Sequence, residues 1–209
     1  MLRILVVGLL ALVAVMFMVR RPQSAKELAN PVPLPDFELV DQNRHAFSKS
    51  SLEGHFTLLF FGYTRCPAVC PRTLRALAAA RAALEKRPGK QAPAIVFVGV
   101  DTKRDSPDSI RDYLRSFDPQ FLGVTAHDSG ALEPLTHALG VPVQTQTIDG
   151  EHYRVVRDGT VYVIDRNAGM IALLKSTDAR RMLFDYLRIR AQHSHSVSPR
   201  DPKSRIAAL

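Results

Sequence analysis

Two stretches of the chain are almost entirely apolar and rich in aromatic and β-branched residues, Phe56–Phe61 and Ala94–Val100. Such short continuous runs are typical of strands that are buried on both faces of a sheet. Between them lies an alanine- and leucine-rich segment, residues 72–87, which predicts a helix that ends at Pro88-Gly89. A buried strand, a helix and a second buried strand restrict the chain to folds in which helices cover a central sheet.

The same alternation continues on both sides of this unit. Before it, residues 37–40 and 45–47 predict a strand and a short return strand. After it, Ser106 is a suitable N-cap and Pro107 a suitable first residue for a helix that runs to about residue 117. A strand near 121–124, a helix near 129–139, a hairpin of 161–165 with 171–174 and a helix over 178–190 complete the pattern. We therefore predict an α/β fold, a thioredoxin-like sandwich over residues 36–190.

The first residues resemble a targeting segment. Ile4–Val19 is an unbroken apolar run, with Arg3 before it and Arg20-Arg21 after it. At 1.5 Å per residue it reaches about 24 Å, slightly short of a hydrocarbon core of roughly 30 Å, and the flanking arginines can close the difference. No small-x-small cleavage site follows. We expect residues 1–21 to be a membrane anchor or an uncleaved signal rather than a cleaved signal peptide.

Two further segments are predicted to lie outside the domain. Residues 22–35 contain four prolines and no apolar period, which is typical of an extended linker. The tail over 191–209 is polar almost to its end, and we expect it to be disordered. Part of the net charge of +8 lies beside the apolar run and in this tail. Attraction to anionic lipid head groups explains that placement at least as well as binding to nucleic acid does, and we expect no nucleic-acid partner.

The two cysteines, Cys66 and Cys70, are too few to stabilise a domain of this size through structural disulfides. They lie in FGYTRCPAVCP, residues 61–71, where a buried strand is predicted to end and a helix to begin. Reactive groups gather at this end of the strands in open α/β sheets. If the turn is helical, the separation of four residues places both sulfurs on one face, with Cβ atoms about 5–6 Å apart. The amides at the helix start, with Arg65 and Arg72, are expected to lower the thiol pKa and to favour thiolate.

Two thiolates on one face have two chemical uses, exchange with another disulfide or ligation of a soft metal such as Cu(I). A third interpretation is a pair of inert core cysteines, because free cysteine is often buried. A close pair between prolines at a strand-to-helix junction favours chemistry over packing. The sequence shows no phosphate-cradling glycine loop and no Ser-His-Asp arrangement, so other enzyme classes have little support.

Three features of the chain resemble the Sco/SenC family over roughly residues 34–190. They are FGYTRCPAVCP at 61–71, VGVDTKRDSPDSIRDYL at 98–114, and the order of anchor, linker and domain. Members of this family are thioredoxin-like, membrane-anchored proteins that deliver copper during cytochrome c oxidase assembly. The resemblance implies that Cys66 and Cys70 bind copper, Cu(I) in preference to Cu(II), and can form a redox-active disulfide. Asp101 matches a family acid near the cysteines, although as a loop residue it would equally accept hydrogen bonds from backbone amides.

One position departs from the family pattern. The family places its third copper ligand, a histidine, just before the penultimate strand, where this chain has Arg157. A guanidinium offers no lone pair to a metal, although its charge favours nearby thiolates. The candidates to replace the histidine are His152 in the same loop, and His193 or His195 if the tail folds back. A thioredoxin-type oxidoreductase often has a cis-proline near this point, and the nearest matching position is Gly159.

The leading hypothesis is a membrane-anchored copper-binding assembly factor that delivers copper to, or matures the copper site of, cytochrome c oxidase or another copper protein. The alternative is a thiol-disulfide reductase that acts on partner cysteines without binding copper, with Cys66 as nucleophile and Cys70 as resolving thiol. A protein-binding domain without either chemistry is the third possibility.

The side of the membrane is predicted from two opposing signals. Arg20, Arg21 and Lys26 outnumber Arg3, which by the positive-inside rule favours a cytoplasmic domain. A reactive thiol pair beside an export-type segment, and the family resemblance, favour an extracytoplasmic domain. We expect the latter, at the periplasmic face of the inner membrane if the protein is bacterial.

Overall fold

The computed structural model describes residues 24–87, 91–141 and 159–193, together with the backbone of 144–149 and 152–156. Its helices are α1 (Val69–Glu85), α2 (Pro107–Arg115), α3 (Ser129–Ala138) and α4 (Ala179–His193), and Lys49–Leu52 forms one 3₁₀ turn. Its strands are β1 (Ala25–Pro33), β2 (Glu38–Asp41), β3 (Ala46–Ser48), β4 (Thr57–Gly62), β5 (Ala94–Gly99), β6 (Leu122–Thr125), β7 (Gln144–Asp149), β8 (His152–Val156), β9 (Val161–Ile164) and β10 (Gly169–Leu174).

Eight strands form one mixed sheet in the order β1-β10-β9-β4-β5-β6-β2-β3, and β7 with β8 forms a separate hairpin. β4, β5 and β6 are parallel, whereas β9 and β10 are antiparallel to their neighbours. Helix α1 contacts α4, and α2 packs on β6. The predicted α/β class is confirmed, and the β7–β8 hairpin is an element that the sequence analysis did not predict.

The two apolar runs form the centre of the sheet, as predicted. Every residue of β4 is buried, and so is every residue of β5 after Ala94. These strands are paired in parallel, with Gly62 opposite Gly99. Their carboxyl ends therefore meet at one edge of the sheet, and the loops that follow them, 63–68 and 100–106, are brought together there.

The helix boundaries follow local capping. The Ser106 hydroxyl accepts a hydrogen bond from the Ser109 N–H at 3.2 Å, which confirms the predicted start of α2. Helix α1 begins at Val69, three residues before the predicted start at residue 72. Helix α4 continues to His193, so the prediction of a disordered tail is wrong for residues 191–193.

The linker prediction for residues 22–35 is wrong over Ala25–Pro33. This segment is β1, an edge strand antiparallel to β10 whose register shifts between Glu27 and Val32. Prolines are tolerated there because an edge strand leaves one side of its hydrogen-bond ladder unused. Ala25 and Leu34 are buried, so the folded domain begins before the predicted boundary at residue 36.

Two predictions lie outside the described residues. The first is the anchor over 1–21, and the second is the tail beyond His193. Within the part of the chain that the structure describes, no helix is both long and apolar enough to cross a membrane.

Candidate functional site

The thiol pair lies between the carboxyl end of β4 and the first turn of α1. Cys66 precedes the helix, and its N–H donates to the carbonyl of Tyr63 at 3.2 Å. Cys70 is the second residue of α1, whose N-cap, Ala68, has a non-helical φ of −141°. Cys66 therefore lies outside the helix, and the condition of a helical turn that contains both cysteines is not met. The irregular turn nevertheless brings the sulfurs together, because the Cys70 thiol donates a hydrogen bond to the Cys66 sulfur.

The Cys66 sulfur accepts hydrogen bonds at the start of α1. The Cys70 N–H donates to Cys66 Sγ at 3.3 Å, and the backbone N–H groups of Ala68 and Val69 add to it. The thiol of Cys70 makes the largest contribution, and together these donors lower the pKa of Cys66 to about 5 against the opposing effect of burial. Amides at a helix start have no partner within the helix and carry partial positive charge. These donors therefore favour the thiolate form of Cys66 over its thiol.

The direction of this pKa shift was predicted, but part of its cause was not. Arg65 and Arg72 were expected to stabilise the thiolate, and both are exposed side chains. The largest contributions come instead from hydrogen bonds of the Cys70 thiol and the backbone. Short-range donors act at hydrogen-bond distance, whereas solvent screens the charge of an exposed guanidinium.

The two sulfurs differ in their access to solvent. Both cysteines are free thiols, and Cys66 retains 8% of its surface whereas Cys70 retains none. Both thiols are therefore buried, and of the two only Cys66 keeps a small contact with solvent. Any exchange with an external sulfur would therefore begin at Cys66, and Cys70 could react only with a group already bound there.

Two glycines make room for the pair. A Cβ at Gly62 would lie 2.6 Å from Cε2 of Phe97 and 3.1 Å from the Cys70 sulfur. Gly159 has a φ of +76°, and a Cβ there would lie 3.0 Å from Cγ1 of Val69. The chain before β9 therefore passes against the first turn of α1, beside Cys70. The described residues contain no cis peptide bond, so the thioredoxin-type cis-proline has no counterpart among them.

The loop after β5 supplies two buried acids. Asp101, the predicted acid, has its carboxylate paired with the guanidinium of Arg104. Its carbonyl accepts from the N–H groups of Arg104 and Asp105, at 2.9 and 2.8 Å. The amides of this turn thus bond to the backbone carbonyl of Asp101, whereas its carboxylate pairs with Arg104.

Asp105 is the site residue that the sequence analysis missed. Its Oδ1 accepts from the N–H and the hydroxyl of Thr64, at 3.0 and 2.6 Å, and Thr64 lies two residues before Cys66. Its Oδ2 has no hydrogen-bond partner within the described residues, and burial raises its pKa. The second acid of VDTKRDSP therefore holds the cysteine loop against the end of β5. In the sequence, the only feature that could have identified Asp105 as a site residue is its position as a second acid four residues after Asp101.

Tyr113 of α2 lies near the same edge. Its ring packs between Phe97 and Phe117, with centroid distances of 5.9 and 5.1 Å. Its hydroxyl is buried without a partner among the described residues. Burial raises the pKa of Tyr113 most, and the two cysteines raise it further when they are ionised, so the phenol stays protonated.

Most of the residues that bear on the third copper ligand lie outside the part of the chain whose side chains the structure describes. Arg157 and His195 are outside the described residues, and His152 belongs to β8, of which the backbone alone is described. His193 is the last residue of α4. Within the described ranges, no three side chains of His, Cys, Asp or Glu cluster as a metal site would require.

Comparison with known proteins identifies the chain's relatives. The family model SCO1/SenC matches residues 26–191. The SCO2-like protein of Rickettsia conorii is 30% identical over 155 residues, which cover 73% of this chain and 74% of that protein.

Two solved structures share the fold. Copper-bound ScoI of Bradyrhizobium japonicum is 31% identical and has a TM-score of 0.65, with 75% of this chain and 99% of that chain covered. Apo Sco1 of Thermus thermophilus is 31% identical and has a TM-score of 0.69, with 83% and 98% covered. The match of the family model over most of the chain, with these relatives, shows that this protein belongs to the SCO1/SenC family.

Proposed function

We propose that this chain is a membrane-anchored copper-binding assembly factor that carries Cu(I) on Cys66 and Cys70. The observation that carries the proposal is the adjacent pair of free cysteines, in which the Cys70 N–H at the start of α1 donates to Cys66 Sγ at 3.3 Å. Two adjacent soft sulfurs, one with a lowered pKa, suit Cu(I) better than a hard cation. The recipient would be the copper site of cytochrome c oxidase or of another copper protein, as the family resemblance implies.

The described side chains fit a site with two sulfur ligands. Membership of the SCO1/SenC family and the copper-bound ScoI relative support copper as the cargo. A third ligand would come from residues beyond those whose side chains are described, of which His152 and His195 are the candidates in the sequence. The proposal therefore rests on the sulfur pair, with the third ligand left to experiment.

A second function, reduction of a partner's disulfide, is favoured by the unequal exposure of the two cysteines. The Cys66 thiolate would attack one sulfur of the partner, forming a mixed disulfide and releasing the other partner sulfur as thiolate. Cys70, already in contact with Cys66, would then lose its proton and attack the Cys66 sulfur. The partner would leave with two thiols, and its two electrons would be supplied by the oxidation of Cys66 and Cys70 to a disulfide.

Copper titration separates these two functions. The reduced full chain in detergent is titrated anaerobically with Cu(I) in competition with a chelator. We expect stoichiometric binding that is lost in Cys66→Ser and in Cys70→Ser. If His152 is the third ligand, His152→Ala weakens binding, whereas His127→Ala, which changes an exposed histidine before α3, does not. Absence of copper binding together with disulfide exchange would reject the copper proposal in favour of the reductase.

The anchor and the location of the domain are part of the proposal. The apolar run Ile4–Val19 supports a retained membrane helix, and the reactive thiol supports an extracytoplasmic domain. In a bacterial host we expect the protein to resist alkaline extraction from membranes. A C-terminal alkaline phosphatase fusion should be active if the domain is periplasmic, and an inactive fusion would place the domain in the cytoplasm.

A further inference from the structure

The exposed side of α4 carries an unusual combination of side chains for a soluble surface. Phe184 is 66% exposed, and it is the only large hydrophobic side chain that is exposed in the described part of the chain. Its neighbours three or four residues away on the helix are Arg180, Arg181, Leu187 and Arg188. We name these five residues the Phe184 patch.

The chain enters the fold directly beside this patch. The Ser24 hydroxyl donates to the carboxylate of Asp185, and Nε of Arg181 donates to the Ser24 oxygen at 2.9 Å. Arg188 pairs with Glu27 of β1. The first described residues are therefore held against the same helix that exposes Phe184.

The sequence leaves little distance between this point and the proposed anchor. The apolar run ends at Val19, and Ser24 follows five residues later. Five residues span at most about 18 Å when fully extended. A domain anchored through residues 1–21 therefore keeps Ser24, and the part of α4 that it contacts, within about 18 Å of the end of the apolar run.

The charges of this region suit an anionic surface. Arg180, Lys26 and Lys175 are exposed, and Lys175 donates its N–H to the Ser24 carbonyl. Of the nearby acids, Asp185 is buried and accepts from Ser24, and Glu27 is paired with Arg188. Asp178 is exposed and accepts from the Arg181 N–H at 2.8 Å at the start of α4. Cations attract anionic head groups, and an aromatic ring beside them is favoured at the interface.

We propose that the Phe184 patch rests on the anionic lipid surface of the membrane in which the chain is anchored, with Phe184 among the head groups and the exposed Arg180 on their phosphates. This inference rests on the anchor of the proposed function. Because α4 contacts α1, such a contact would fix the orientation of the Cys66 loop relative to the membrane.

Tryptophan fluorescence can test the contact, because the natural chain has no tryptophan. Phe184→Trp introduces one at an exposed position where the larger ring has space. The matched control is Arg115→Trp, at an exposed position of α2. Helix α2 packs on β6 and α4 contacts β10. These two strands are four positions apart in the sheet, which separates them by about 19 Å. Both full-length variants are placed in nanodiscs of phosphatidylcholine with phosphatidylglycerol.

We expect the emission of Phe184→Trp to shift to shorter wavelength and to be quenched by brominated acyl chains, while Arg115→Trp keeps a water-exposed spectrum. Adding Arg180→Gln should lower the ratio of docked to undocked domain about fivefold, as expected for one arginine near an anionic surface. Phosphatidylcholine alone should reduce the shift.

Three results would overturn the inference. If Phe184→Trp inserts into nanodiscs but matches the control, the patch does not touch lipid, although the anchor stands. If the chain does not insert at all, the anchor and the docking fail together. If the shift depends on the number of chains per nanodisc and not on anionic lipid, the patch binds a second copy instead.

Discussion

The most direct test of the site concerns the cause of the low pKa of Cys66. The Cys70 thiol makes the largest contribution to that shift, so Cys70→Ala should raise the pKa of Cys66. A hydrogen bond to a charged group contributes about 1.5–3 kcal/mol, and one pKa unit corresponds to about 1.4 kcal/mol, so we expect a rise of roughly one to two units. From a starting value of about 5, the midpoint should therefore move to roughly 6–7.

The assay is the pH dependence of iodoacetamide alkylation of the reduced, copper-free protein, followed by mass spectrometry. Thiolate is the reactive form, so the rate reports the ionised fraction of Cys66. Cys70→Ser is the matched control, because its hydroxyl can still donate, and its midpoint should stay closer to that of the natural chain. Cys66→Ala leaves only the fully buried Cys70, which should react slowly.

The same shift has a consequence for stability. The pKa of Cys66 in the folded chain, about 5, lies below its ordinary value of 9.0, so the folded state binds fewer protons between these limits. The reduced protein should therefore lose unfolding free energy as the pH falls from about 9 toward 5, and Cys66→Ala should lose less.

An alkylation midpoint near 9 in the natural chain would refute the hydrogen-bond account. An unchanged midpoint in Cys70→Ala would show that Cys70 is not its main cause.

Two further predictions concern the surroundings of the thiols. Gly62→Ala should cost about 1–3 kcal/mol of unfolding free energy in urea, because its Cβ would overlap the Phe97 ring, whereas Gly130→Ala on the surface of α3 should stay within about 1 kcal/mol. Equal costs would contradict the close approach. Asp105→Asn should gain stability relative to the natural chain as pH rises. Burial raises the pKa of Asp105 in the folded protein above its ordinary value of 3.8. The stability that the protonated carboxyl contributes is therefore present below about pH 3.8 and is lost as pH rises through the folded pKa. The exposed Asp112→Asn should show no such trend in denaturant unfolding at several pH values, and a constant difference for Asp105→Asn would argue against a buried acid.

Most of the fold was predictable because its signals are local. The apolar runs of β4 and β5 identify strands with two buried faces, and Ser106-Pro107 begins α2 where its capping chemistry predicts. The strand β1 was not predictable in this way. Its prolines are typical of a linker, and its identity as a strand depends on pairing with β10, more than a hundred residues away.

In the candidate site, too, the features set by neighbouring residues were predictable and those set by contacts between remote segments were not. The spacing of Cys66 and Cys70 at a strand-to-helix junction was sufficient to predict a pair of adjacent thiols, and the family resemblance that this motif carries was confirmed. The role of Asp105 was not predicted, because the carboxylate meets Thr64 only when the loops after β4 and β5 are placed side by side.

By itself, the sequence determined the α/β class, the position of the thiol pair and the family, because periodicity and motif spacing are properties of neighbouring residues. Only the tertiary structure decided which thiol keeps contact with solvent, which donors lower the pKa of Cys66, and which helix lies beside the point where the chain enters the fold. Burial and hydrogen bonding depend on distances between segments that are remote in sequence, and folding alone sets those distances.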